Sequence, residues 1–153
     1  MNPDDLEWLL AEHEGLEEEL PALLEALGRD PPGWGEVRSR LDSIALELPI
    51  HLEVEELVVF PWLGQRLPAA IGSLDGLLRE HHRLVEELNE IRSLAAAEHP
   101  AADLRERVQH LIRNLRGHSR MEKDLLERAL EAPLPAASDS FPTRGPGGRS
   151  RPQ

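Results

Sequence analysis

Apolar residues recur along four stretches of the chain at steps alternating between three and four. The first stripe runs Leu6, Leu9, His13, Leu16, Leu20, Leu23, Leu27, and the second Val37, Leu41, Ile44, Leu48, His51, Glu55, Val58, Trp62. The third runs Leu74, Leu77, His81, Leu84, Leu88, Ile91, Ala95, and the fourth Leu104, Val108, Leu111, Leu115, His118, Glu122, Leu125, Ala129. That spacing is the seam of a helix facing a bundle core. It predicts helices over roughly 3–27, 34–63, 74–97 and 101–132, separated by Gly and Pro breaks at 28–35, 64–73 and 98–100. Connections this short join antiparallel neighbours, so the expected fold is an all-α, up-down-up-down four-helix bundle. Pro21 and Pro49 fall inside helical patterns and are expected to kink or loosen their helices there.

Each stripe is apolar except where chemistry interrupts it. The stripes of helices one and three carry one histidine each, and those of helices two and four a histidine followed four residues later by a glutamate. His13, His51, Glu55, His81, His118 and Glu122 therefore point inward, with no Lys or Arg on the same stripes to neutralise the acids. A buried carboxylate is costly unless it is paired or bound to metal. Depth agrees as well: in antiparallel helices these positions share one level, and the His13–His51 and His81–His118 separations (38 and 37 positions) suggest two similar hairpins. His82, His99 and His110 fall off the stripes or in a turn and are assigned to the surface or to supporting roles.

Composition narrows the chemistry. There is no Cys, which excludes disulfides, thiolate metal sites and iron–sulfur clusters, and no Tyr, which excludes a tyrosyl radical. The net charge of −12 argues against nucleic acid and anionic membrane surfaces as partners. No apolar run approaches the roughly 20 residues of a membrane span. The acidic start lacks a signal-peptide pattern, so the expected location is the cytoplasm. Residues 133–153, rich in Pro, Gly and Ser, are expected to form a disordered tail after a single domain over 1–132.

The His-x-x-x-Glu spacing places both side chains one turn apart on one helix face. Zinc alone usually takes four ligands in a tetrahedron; six ligands with two carboxylates able to bridge suit two octahedral-type ions better. Imidazole with carboxylate suits iron, and manganese less well.

With Glu12-His13 and Leu16, His51-x-x-x-Glu55-Glu56 followed by Val59-Phe60-Pro61, Glu80-His81 and Leu84, and His118-x-x-x-Glu122, the chain resembles the hemerythrin family, specifically its HHE cation-binding domains, over about residues 5–132. The resemblance implies two non-haem iron ions bridged by Glu55, Glu122 and an oxo or hydroxo group, with His13 and His51 on one iron and His81 and His118 on the other. It also implies a small diatomic ligand or peroxide as partner. Two positions depart from the oxygen-carrying members: Val85 stands where those have a further histidine, and Lys123 where they have an aspartate. The pattern is closer to HHE domains linked to iron, oxygen or redox sensing. The expected function is accordingly binding or sensing of dioxygen, nitric oxide, peroxide or iron. The alternatives are a di-iron enzyme acting on peroxide, nitric oxide or ferrous iron, and a structural bundle with zinc or no metal. Nothing in the sequence identifies a protein partner.

Overall fold

The computed structural model describes residues 15–16 and 18–133. His13 and the segment from 134 onward, expected respectively as a ligand and within the tail, lie outside the described residues. Helix α1 covers 18–27, running through Pro21, and α2 covers Trp34–Val54. A π-helical turn, Glu55–Val59, leads directly into α3, Phe60–Arg66. After a short 3₁₀ turn at Pro68–Ala70 come α4, Ile71–Ala96, and α5, Ala101–Glu131.

Local chemistry sets the ends. Gly33 and Pro100 stand just before α2 and α5, which carry Glu36 and Asp103 in their first turns, where acids favour a helix N-terminus. Helix α4 closes with Glu98 at φ 48°, where Glu98 N–H donates to Ala95 O and His99 N–H to Leu94 O. This left-handed closure satisfies carbonyls the helix would otherwise leave open. Arg66 at the end of α3 donates to Ala129 O and Ala132 O at the end of α5, and its guanidinium lies over the Trp62 ring.

The third and fourth stripes are buried throughout, as expected. The second holds as far as Glu55 and then slips by one residue. Val58 is 49 % exposed and Trp62 is half-buried, while Val59 and Leu63 are 2 % and 0 % exposed. The cause is the π turn, in which Phe60 N–H donates to Glu55 O, five residues back rather than four. One residue is thereby inserted into the helical count, and the inward face moves from 58 and 62 to 59 and 63. Pro61 accounts for the distortion. It has no N–H, and its ring crowds the carbonyl four residues earlier, which widening the preceding turn relieves. The irregularity expected at Pro49 thus falls at residues 55–59, on the proposed ligand itself; α2 continues through Pro49.

Core packing comes in two clusters. One joins Leu20, Leu23 and Leu27 of α1 to Leu41, Ile44 and Leu48 of α2, Leu84, Leu88 and Ile91 of α4, and Leu104, Leu111 and Leu115 of α5. The other joins Val59, Phe60 and Leu63 to Leu74 and Leu77 at the start of α4 and Leu125, Leu126 and Ala129 near the end of α5. The end of the second helical segment, the start of the third and the end of the fourth thus meet in one cluster, the arrangement of an antiparallel bundle. The protein is an all-α helical bundle. Each fully buried leucine contributes about 2 kcal/mol, and the two clusters enclose a polar layer between them. Among the described residues no helix is long and apolar enough to cross a membrane.

Candidate metal centre

The layer between the two apolar clusters contains His51, Glu55, His81, His118 and Glu122, each at most 2 % exposed. His51 comes from the last turn of α2 and Glu55 opens the π turn. His81 lies within α4, and His118 and Glu122 lie one turn apart on α5. Leucines occupy the same stripes one turn away: Leu48 before His51, Leu84 after His81, Leu115 before His118. The Phe60 ring lies 5.2 Å from that of His81.

The Glu55 carboxylate sits at the centre of this layer, and its two oxygens face different partners. Oε1 is 2.6 Å from His51 Nε2, while Oε2 is 3.1 Å from His81 Nε2 and 3.5 Å from His118 Nε2. The two Nε2 atoms of His81 and His118 are themselves 3.1 Å apart. Among the described residues, Glu55, His81 and His118 form the one group of three whose ligand atoms lie within 4.8 Å of one another.

The opposite edges of two of these rings are also held. Glu56 Oε1 lies 2.8 Å from His81 Nδ1, and Glu80 Oε2 lies 3.3 Å from His118 Nδ1. A carboxylate accepts and does not donate, so each Nδ1 carries a proton, and each Nε2, turned to the Glu55 carboxylate, either shares a proton with it or offers its lone pair to a cation. Three electron-rich atoms then converge: two imidazole nitrogens and Glu55 Oε2. Lone pairs facing one another at 3.1 Å repel unless a proton or a cation stands between them. For His81 in the protein alone, burial lowers the pKa, but the hydrogen bonds and charges of Glu55 and Glu56 outweigh it and hold the imidazole above its ordinary value.

The donor set fits a divalent cation. Ligands about 2.1 Å from an ion at right angles are about 3.0 Å apart, close to the observed separations. The donors are hard oxygen and borderline nitrogen, a mixture that suits iron, manganese or zinc. Carboxylates behind metal-binding imidazoles are the usual means of fixing tautomer and ring orientation.

Of the six residues singled out by sequence, His51, Glu55, His81 and His118 converge on the Glu55 carboxylate; His13 lies outside the described residues. Glu122 is fully buried one turn beyond His118. His82 and His110 are exposed and His99 is half-exposed. They contact Leu78 O, Glu87 and Asp103 respectively. Glu56 and Glu80 stand off the stripes and outside the six candidate ligands. Each is half-buried and contacts a ring 25 or 38 residues away. The available signal for Glu80 was that an acid immediately precedes the histidine in both halves of the chain, Glu12-His13 and Glu80-His81.

A family model described as the hemerythrin HHE cation binding domain matches residues 4–130, most of the chain. Comparison with curated proteins and with solved structures found no match.

Proposed function

The chain belongs to the hemerythrin HHE cation-binding family, and from that premise we propose that it holds two iron ions and uses them to bind or sense a small ligand: dioxygen, nitric oxide, peroxide or iron itself. The observation that carries the two-ion reading is the division of Glu55, with Oε1 toward His51 and Oε2 toward His81 and His118. A carboxylate whose oxygens serve two separate nitrogen sets is placed to bridge two ions, whereas a single-ion site needs one set. His51, with His13, would hold one ion, and His81 with His118 the other; Glu122 would provide the second bridge.

When bound, iron would supply coordination positions open to a small ligand and a ferrous–ferric couple. The chain's own residues enclose that chemistry. Leu48, Leu84 and Leu115 on one side and Phe60, Leu77 and Leu125 on the other exclude water and bulky substrates from the Nε2 side of the rings. Four imidazoles and two carboxylates carry less negative charge than a carboxylate-rich site, which favours the ferrous state and supports ligand binding over oxidation.

The test is metal analysis with absorption spectroscopy of protein reconstituted with ferrous ion under anaerobic conditions. Two irons per chain are expected. His51→Ala should lower that content and His110→Ala should not. Equal iron loss in both variants would count against the assignment.

A further inference from the structure

We infer that the two metal positions are unequal: the half built from Glu55, His81 and His118, backed by Glu56 and Glu80, takes up a divalent cation first and more tightly. The inference rests on the proposed two-ion site and adds an order of loading to it.

Neutral imidazole exists as two tautomers, and only the one with its proton on Nδ1 offers Nε2 to a metal. In this half a carboxylate holds a proton on Nδ1 of each ring before any ion arrives and so turns its Nε2 edge toward Glu55. Glu56, in the π turn, accepts from His81 Nδ1 at 2.8 Å, and Glu80, on α4, accepts from His118 Nδ1 at 3.3 Å. The three donors already stand 3.1, 3.1 and 3.5 Å apart. An incoming cation therefore finds three ligand atoms converging on one point and needs no ring rotation; it takes the place of the proton that His81 Nε2 shares with Glu55. Glu56 and Glu80 are also only half-buried, and each lines a solvent-open groove: one between α2 and α4 beside His81, the other between α4 and α5 beside His118. Their charges stay hydrated while the ligand rings do not.

The chain's internal repeat shows why the second half differs. His51-x-x-x-Glu55-Glu56 corresponds to His118-x-x-x-Glu122-Lys123, so the position of Glu56 is taken by Lys123. An ammonium group donates three hydrogen bonds and accepts none. It cannot accept from an imidazole N–H, and a positive charge at this repeat position opposes a cation where the negative charge of Glu56 attracts one. Glu80 has a counterpart in Glu12, which precedes His13 as Glu80 precedes His81. The two halves therefore differ at this one supporting position by a carboxylate against an ammonium. Glu56 is accordingly a positioning residue for His81, acting on the metal through the ring.

The test is titration of cobaltous ion into metal-free full-length protein, followed by ligand-field absorption and calorimetry. Two resolved steps are expected, the first at least about tenfold tighter than the second. Loss of an outer carboxylate typically costs about 10–100-fold in metal affinity. Glu56→Ala should weaken the first step by that factor, and Glu56→Gln, which keeps an acceptor oxygen without the charge, should weaken it less. His51→Ala should abolish the second step and leave the first. Circular dichroism of the metal-free variants should match wild type, and the order Glu, Gln, Ala is one that simple packing loss would not produce. Two indistinguishable steps in wild type, or a Glu56→Ala effect confined to the second step, would overturn the inference while leaving a two-ion site standing. Fewer than two ions per chain would overturn the two-ion reading beneath it.

Discussion

Replacing Glu55 by methionine separates a metal site from a hydrogen-bonded core cluster, because the two readings give different patterns of stability. Glu55 is 0 % exposed and touches His51, His81 and His118 through both oxygens. Methionine has similar length and no branch, and it fills irregular space well. If the carboxylate is kept for a cation, the metal-free wild type bears its desolvation cost, and an apolar residue of similar volume should be close to neutral, well short of the roughly 3–5 kcal/mol lost when one partner of a buried ion pair is removed. In the presence of ferrous ion the two diverge. Wild type gains about 2.7 kcal/mol for each ion at a hundred times its dissociation constant, whereas the variant lacks the proposed bridging carboxylate and gains at most a fraction of that. Urea unfolding under anaerobic conditions, with chelator and then with excess ferrous ion, reads both states. The curves should separate only in iron: the two proteins nearly equal in chelator, wild type more stable with ferrous ion. If Glu55 were instead a structural partner of charged imidazoles, its removal would cost about 3–5 kcal/mol. A loss of that size in both conditions, with iron shifting neither protein, would refute the reasoning.

Other expectations follow from particular contacts. Leu63→Ala, at a fully buried position, should cost about 2–5 kcal/mol, and Val58→Ala, on the exposed side of the π turn, should stay within about 0.5 kcal/mol of wild type; denaturant titration of both checks the shifted register. Arg66→Ala removes two bonds to the last carbonyls of α5 and should destabilise by about 2 kcal/mol, with hydrogen exchange rising first near Ala129. Peroxide added to the ferrous protein should oxidise it once per site without sustained consumption; continued turnover would favour an enzyme.

Much of the bundle was legible because a buried helix face writes its period directly into the chain. Every position of the α4 and α5 stripes is buried, with only Ile112 and Leu126 of α5 added beside them, and the shared depth of His51, His81 and His118 followed from counting along antiparallel helices. The slip after Glu55 was not legible in the same way. A period of 3.6 carries no mark for an inserted residue, and the π turn depends on how Pro61 perturbs the turn before it. Pro49 drew attention as the nearer proline, yet α2 runs through it. Glu56 and Glu80 were hidden for another reason: both lie off the stripes among many acids, and only the packing of α4 beside the π turn and α5 brings them to rings 25 and 38 residues away.

The most direct measurement is diffraction from crystals of the iron-loaded protein at the iron absorption edge. Two anomalous peaks about 3.5–4 Å apart are predicted between the helices, one on the Glu55 Oε1 side with His51 and one on the Oε2 side with His81 and His118. A single peak, or none in this layer, would contradict the account.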